Sequence, residues 1–177
     1  MKKGIFLSIL FILALTINIG CEALDVTEEI TFDMEFVAFS PTADFYSEEL
    51  LDADSLSDVI AEYDQLIKDI ELLEATYQIT VVGDSNLATK INSSTLTVSD
   101  ENGNGEETIG TITNQDIATL PVPLPLPLDQ AGIDRFEELI KNSPHRAIIK
   151  NIGNADGAPL DFTVVFKFKV KMTANPL

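Results

Sequence analysis

Alternation of apolar and polar residues predicts a strand near each end of the chain. Between Glu28 and Phe36, every second residue from Ile30 onward is apolar. Phenylalanine, valine and methionine then occupy alternate positions through residues 162–172. A period of two with one apolar face is typical of a half-buried strand. The alternation slips at residues 37–39, which predicts a bulge at the end of the first strand.

Charges on the outer faces of these two strands have opposite signs. The last strand carries Lys167, Lys169 and Lys171 outward, whereas the first carries Asp33 and Glu35 outward. Opposite charges on facing cross-strand positions are favourable. We therefore expect the two terminal strands to be neighbours in one sheet.

Spacing of three and four residues predicts two amphipathic helices. The first covers residues 55–68, with Ser55 as its N-terminal cap, and the second covers residues 129–142, capped by Asp129. The polar face of the first helix is acidic, whereas a helix lying on a membrane surface would carry lysine or arginine there. We expect the first helix to cover an open end of the sheet core.

Shorter patterns predict the remaining strands. They are residues 73–81, 87–91, 95–99, 109–112 and 146–152, with an acidic connection at 42–54, a hairpin tip at Asp100–Glu107 and a turn-rich loop at 151–159. About seven strands and two helices indicate a mainly β fold, namely an antiparallel β-sandwich of immunoglobulin-like type with two inserted helices. A single domain over residues 28–177 accommodates all of them.

Four prolines two residues apart mark the segment from Leu120 to Leu128. Because alternate residues of an extended chain direct their backbone groups to opposite edges, all four missing N–H groups fall on one edge. This arrangement predicts a strand at the edge of a sheet that pairs on one side only. A polyproline ligand for a partner is the alternative, although its usual spacing of prolines is absent.

The first 21 residues have the composition of a secretory signal. Lys2 and Lys3 precede an apolar run over residues 5–17, and Gly20 precedes Cys21, the single cysteine of the chain. The run is shorter than the roughly 20 residues that a membrane-spanning helix needs. With one cysteine, the chain forms no internal disulfide.

The pair Gly20-Cys21 at the end of the apolar run resembles the bacterial lipoprotein signal, although Asn18 and Ile19 depart from the usual pattern. The resemblance implies that residues 1–20 are a signal peptide, that Cys21 is lipidated, and that residues 21–27 form a short tether. Glu22 is compatible with the outer membrane, facing either the periplasm or the exterior. An ordinary cleaved signal is the alternative.

The rest of the chain resembles, in layout, the sandwich-type envelope lipoproteins common in Bacteroidota. Its final strands with an inserted helix resemble late-embryogenesis-abundant-type β-sandwich domains. These resemblances rest on no diagnostic motif, so they assign no functional residue.

An acidic surface excludes one class of partner. The chain has 11 basic and 29 acidic residues and a formal charge of −18, and loss of Lys2 and Lys3 with the signal makes it two units more negative. Such a surface repels phosphate backbones, so we expect no nucleic acid partner.

Motifs for catalysis are absent from the sequence. It contains no GxSxG, Walker, HExxH or CxxC motif, and its single histidine, His145, is expected to be a structural residue at the surface or half buried. Asp100-x-Asn102-x-Asn104-Gly105 matches half of a calcium loop, but Thr111 occupies the twelfth position, which favours a hairpin tip. We expect no catalytic residue, metal or cofactor.

Two functions remain open. The first is a non-enzymatic interaction or structural module of the bacterial envelope, held at the outer membrane by a lipid and bound to an envelope protein. The second is a carbohydrate-binding module or glycan hydrolase. Sugar sites usually have exposed aromatic residues, whereas this chain has no tryptophan and three tyrosines, Tyr46, Tyr63 and Tyr77.

Overall fold

The computed structural model describes residues 25–175, which form eight strands and three short α-helices. The strands are β1 (Val26–Ser40), β2 (Asp44–Asp52), β3 (Ile67–Val82), β4 (Lys90–Ser99), β5 (Glu107–Asp116), β6 (Leu124–Pro125), β7 (Arg146–Ala155) and β8 (Leu160–Ala174). The helices are α1 (Ala53–Leu56), α2 (Asp58–Tyr63) and α3 (Gln130–Lys141), with a 3-10 turn at Asp64–Leu66.

Two antiparallel four-stranded sheets form a sandwich. The strand order is β1-β8-β3-β6 in the first sheet and β2-β7-β4-β5 in the second, the double Greek-key order of a jelly roll. The predicted antiparallel β-sandwich is therefore confirmed. The immunoglobulin-like arrangement of about seven strands is wrong, because there are eight strands, β1 pairs with the last strand of the chain, and of the consecutive strands only β4 and β5 lie in the same sheet.

The predicted pairing of the terminal strands is confirmed. β1 and β8 are antiparallel neighbours in an unbroken register from Val26↔Ala174 to Ser40↔Leu160. Lys167 lies 3.3 Å from Asp33, and Lys169 lies 2.6 Å from Glu29. The predicted bulge at residues 37–39 is wrong, because Ala38 continues the buried face and the register does not shift.

Bulges occur instead in β3. Its register against β8 shifts between Leu72 and Glu74 and again between Ile79 and Val81. Each extra residue turns the next side chain to the other face. The sequence pattern placed Leu73 and Val81 in the core, whereas both are exposed.

Three other strand boundaries differ from the prediction. Residues 44–52 are a strand, not an acidic connection, and only Phe45 and Leu51 of β2 are buried. The two short strands predicted at 87–91 and 95–99 are one strand, β4. The turn-rich loop begins later than expected because β7 continues to Ala155.

The first predicted helix is divided into short pieces. The Asp52 side chain accepts a hydrogen bond from the Ser55 backbone N–H at 3.3 Å, and Ser57 caps α2 through the Ile60 N–H at 3.4 Å. Ser57 itself is in the extended conformation. Serine and aspartate side chains compete in this way with a continuous helix, so Ser55 is not the cap and residues 67–68 belong to β3.

The second predicted helix is confirmed as α3. Asp129 caps it by accepting a hydrogen bond from the Ala131 N–H at 3.0 Å. Phe136 is buried and stacks on Phe168 of β8, with ring centroids 5.1 Å apart. The helix therefore covers the core beside the first residues of β3, where the Glu137 side chain accepts from the Leu72 N–H at 2.7 Å.

The proline-rich segment lies at a sheet edge, as predicted. The backbone N–H groups of Leu120 and Leu126 donate to β3, at 2.9 Å each. Beyond Leu126 the segment crosses to the second sheet, where the Pro127 carbonyl oxygen accepts from Thr111 at 3.2 Å and the Asp129 N–H donates to Ile109 at 2.8 Å. It thus joins the two sheets along one flank of the sandwich.

Candidate interaction surface

The predicted lipidation site, Cys21, lies outside the described residues. The described residues begin at Asp25, and β1 extends from the next residue for 15 residues. At a rise of about 3.2 Å per residue, the lower end of the range for twisted strands, the strand is roughly 45 Å long. The end of the sandwich that holds Ser40 is therefore the end opposite Asp25, and we call it the distal end.

Exposed apolar side chains of the edge strand β1 and of the inner strand β3 lie at this distal end. Phe39 and Val37 of β1 are 75% and 50% exposed, and Val81 of β3 is 54% exposed. Val37 and Val81 flank Thr163 of β8 in one cross-strand row on the outer face of the first sheet. We call Val37, Phe39 and Val81 the distal apolar surface.

The loop that follows β3 borders this surface and is held by hydrogen bonds to Asp161. Asp161 faces Phe39 across the β1–β8 pair, and its carbonyl oxygen accepts from the Gly83 N–H at 2.8 Å. Ser85 donates to the Asp161 carboxylate. A Cβ on Gly83 would lie 2.0 Å from an Asp161 oxygen, so glycine permits this close approach. The loop then presents Leu87, which is 68% exposed.

Two carboxylates adjoin the distal apolar surface, Glu35 on β1 and Asp161 on β8. Lys167 and Lys169 are paired with acidic residues of β1, and Lys171 is paired with Glu71 of β3. Glu35 faces Val165 across the β1–β8 pair, so no lysine stands opposite it. An apolar centre beside carboxylates suits a partner with an apolar contact and a basic rim.

The outer face of the second sheet contains a shallow groove of about 530 Å³. Its walls include Tyr46, which is 59% exposed, and its polar groups come from Asp44, Ser93, Thr95 and Asn154. The hydrogen bond from the Tyr46 hydroxyl to Glu48 raises the pKa of the phenol. Of the three tyrosines, Tyr77 is buried and Tyr63 packs against the core.

His145 has a structural role and is more deeply buried than expected. Its Nδ1 lies 2.7 Å from the Ile140 carbonyl oxygen and its Nε2 lies 2.8 Å from Asp64 Oδ1. A carbonyl oxygen only accepts, so Nδ1 donates its hydrogen to Ile140. The ring thereby ties the end of α3 to the 3-10 turn, and neither nitrogen contacts a hydroxyl nucleophile.

The predicted hairpin tip at Asp100–Glu107 joins β4 to β5. The Asp100 carboxylate accepts from the backbone N–H groups of Asn104 and Asn102, at 2.8 and 2.9 Å, and these bonds lower its pKa. Arg135 of α3 donates to the carbonyl oxygens of Asn104 and Gly105. The Asp100 carboxylate and these two carbonyl oxygens are thus engaged by the protein itself.

Asp156 holds the β3–β4 loop against the end of β7. Its carboxylate accepts from the Thr89 hydroxyl at 2.6 Å and from the Lys90 and Thr89 N–H groups at 2.9 and 2.8 Å. These hydrogen bonds lower the pKa of Asp156 in the folded chain. The contribution of Asp156 to stability is therefore present above the unfolded pKa of about 4 and is lost as pH falls through the folded pKa.

We expect Asp156→Asn to lower the free energy of unfolding at pH 7, by an amount that shrinks as the pH falls from about 5 toward 2. Urea denaturation at a series of pH values measures this difference. Asp44→Asn is the control, since it removes an exposed carboxylate of the same end. An Asp156→Asn deficit that is constant with pH would contradict the assignment.

Residues 25–175 contain neither a metal-binding cluster nor a membrane-spanning helix. No three histidine, cysteine or acidic side chains come together there as a metal site requires. No helix in that range is long and apolar enough to cross a membrane.

By its fold the chain is a two-sheet β-sandwich protein, with an exposed apolar surface at one end. No family model matches it, and no curated protein matches it. Among solved structures, it is similar to that of Desmodium yellow mottle tymovirus, with 12% identity, a TM-score of 0.37 and coverage of 86% of this chain and 90% of that chain.

Two further structures have comparable values. One is a semi-empty virus-like particle of Macrobrachium rosenbergii nodavirus, with 11% identity, a TM-score of 0.41 and coverage of 86% and 96%. The other is the decameric BFDV capsid protein, with 10% identity, a TM-score of 0.40 and coverage of 85% and 99%. Likenesses of this strength carry no argument about what this chain does.

Proposed function

We propose that the protein is a non-enzymatic interaction module of the bacterial envelope, anchored to the outer membrane through a lipid on Cys21. The observation that carries the proposal is the distal apolar surface. Large exposed apolar groups that lie together on a soluble domain typically mark a contact with another macromolecule. The sequence adds the signal ending in Gly20-Cys21 and the absence of a catalytic motif.

The position of the anchor agrees with a protein partner. Asp25 is four positions after Cys21, so the lipid would lie within about 14 Å of the start of the sandwich. The distal apolar surface would then project away from the membrane by up to the roughly 45 Å length of β1. It would meet another envelope component more readily than the membrane that holds the anchor.

Lipidation is tested by labelling cells with a radioactive fatty acid. The chain should incorporate label, and Cys21→Ser should not. Equal label in Cys21→Ser would reject Cys21 as the attachment site.

The interaction surface is tested by photo-crosslinking in intact cells. A photoreactive amino acid at position 39 or 81 should yield a discrete crosslinked species, because both positions belong to the distal apolar surface. The matched control is position 56, since Leu56 is exposed to a similar extent but lies near the opposite end. Crosslinking that is absent at 39 and 81, or equal at 56, would reject the proposal.

The groove beside Tyr46 supports glycan binding as a second candidate function. An exposed aromatic ring with neighbouring carboxylate, amide and hydroxyl groups offers a stacking face and hydrogen bonds for a sugar. Binding on a glycan array that Tyr46→Ala abolishes would support this function. An array without hits, together with no release of reducing sugar, would reject it and its hydrolase variant.

A further inference from the structure

The outer edge of β1 is open for pairing, apart from the Val37 carbonyl oxygen, which accepts a hydrogen bond from the Ser47 side chain of β2. β1 is 15 residues long and has no second strand partner among residues 25–175. Its ladder with β8 runs from end to end without a bulge, and it contains no proline. A long, regular edge presents unpaired N–H and C=O groups that can receive another strand.

Two hydrogen bonds show which residues of β1 face this edge. The Ser47 hydroxyl donates to the Val37 carbonyl oxygen at 3.3 Å, so the backbone groups of Val37 point away from β8. The Asp161 carbonyl oxygen, opposite Phe39, is bonded to Gly83 on the β3 side. Because alternate residues point the same way, the odd-numbered residues of β1 direct their N–H and C=O groups to the open edge.

The side chains of these residues form an ordered pattern. All are exposed, and from the proximal to the distal end they are Thr27, Glu29, Thr31, Asp33, Glu35, Val37 and Phe39. Acidic residues thus occupy the middle of the edge, and apolar residues occupy its distal end. A strand added here would place its own outer side chains about 5 Å from them.

We propose that β1 receives an extended segment of a partner protein as an added strand of the first sheet. The chemistry of the edge defines the segment: basic residues at alternate positions face Asp33 and Glu35, and apolar residues face Val37 and Phe39. The inference rests on the proposed interaction function and names its mode of contact. Main-chain hydrogen bonds supply affinity, and the alternate side chains supply selectivity.

A second copy of the chain does not fit this edge. Antiparallel pairing of two β1 strands about Asp33, the middle residue of the strand, would place Asp33 directly opposite its own counterpart. Like charges directly opposite one another are destabilising. The acidic residues therefore protect β1 against self-association while leaving it open to a basic strand.

The test uses the full chain, purified from membranes in detergent, and a synthetic peptide. The peptide is designed to pair antiparallel to β1. From its N-terminus it therefore carries Phe, Val, Lys, Lys, Thr and Lys at alternate positions, separated by serine and threonine. The peptide should slow hydrogen exchange of the β1 amides of residues 29–35, measured by mass spectrometry. A scrambled peptide of the same composition should not, and equal protection by both would overturn strand addition.

Thr31→Pro provides the matched variant, because the Thr31 N–H faces the open edge and not β8. The substitution should weaken peptide binding by at least about tenfold without loss of the folded sheet. Thr31→Val, which keeps the N–H, should bind as the original chain does. Unchanged binding by Thr31→Pro would overturn the proposal.

Photo-crosslinking at position 39 separates this inference from the proposed function. If Thr31→Pro lowers the yield of the crosslinked species in cells, strand addition is supported. A full yield in Thr31→Pro would overturn strand addition and leave the interaction function standing. No crosslink at either position 39 or position 81 in the original chain would reject the interaction function itself.

Discussion

Replacing Phe166 by alanine should lower the free energy of unfolding by about 4 kcal/mol, which is the usual cost of deleting a buried phenylalanine ring. Phe166 is fully buried in the middle of β8. Its ring makes an edge-to-face contact with Phe36 at 5.5 Å and a tilted contact with Tyr77 at 6.5 Å. The substitution removes the ring from between β1 and β3 and leaves a cavity that neighbouring strands cannot fill.

Phe39→Ala is the matched control for this prediction. It makes the same chemical change in a neighbouring strand, but its ring is 75% exposed. We expect a loss of less than about 1 kcal/mol. Urea denaturation of both variants measures the difference, and similar losses in the two would mean that the assignment of inner and outer faces is wrong.

Gly132→Ala should lower the free energy of unfolding by about 3 kcal/mol, toward the upper end of the cost of overpacking. On an exposed helix the same change would stabilise by up to about 1 kcal/mol. Here a Cβ would lie 1.9 Å from the Thr108 carbonyl oxygen and 2.4 Å from the Ile109 nitrogen. Both atoms belong to the β5 backbone, so α3 would have to move off the sheet.

Gly157→Ala is the control for Gly132→Ala. Its Cβ would meet its nearest neighbours at 3.3 Å or more, which requires only a small adjustment. We expect little change in thermal stability for Gly157→Ala and a clear decrease for Gly132→Ala. A Gly132→Ala chain as stable as the original would show that α3 does not lie against β5 as closely as described.

The sequence predicted those elements whose pattern is continuous. In β8, every second residue is apolar and buried, and its outer lysines identified β1 as a neighbour. The capping residue Asp129 correctly predicted the start of α3, and the spacing of the prolines correctly predicted a strand at the sheet edge. In each case a local rule and the tertiary structure agree.

The elements that were missed depend on contacts distant in sequence. β2 has few apolar residues, and its pairing is supplied by β7, about 100 positions later. The bulges of β3 follow from its fit to β8. His145 is buried because Asp64 and the Ile140 carbonyl satisfy its ring, and neither partner is evident from the local pattern.

The candidate site was missed because its residues resemble a structural irregularity. Val37 and Phe39 interrupt the alternation of β1, and the pattern alone favoured a bulge. In the structure, the alternation of inward and outward side chains continues through residues 37–39, and both side chains lie on the outer face. Two large apolar residues at outward positions of a regular strand are the signal that identifies such a surface.

The proline-rich segment determines how many partners the first sheet can accept. Its residues bond to β3 and then to β5, so the flank of the sandwich opposite β1 is occupied by the chain itself. Within residues 25–175, the β1 edge is the one edge of that sheet that remains free, and a bound strand would extend the sheet there. The proposed strand addition would therefore take place at one edge of this sheet, with one partner segment per chain.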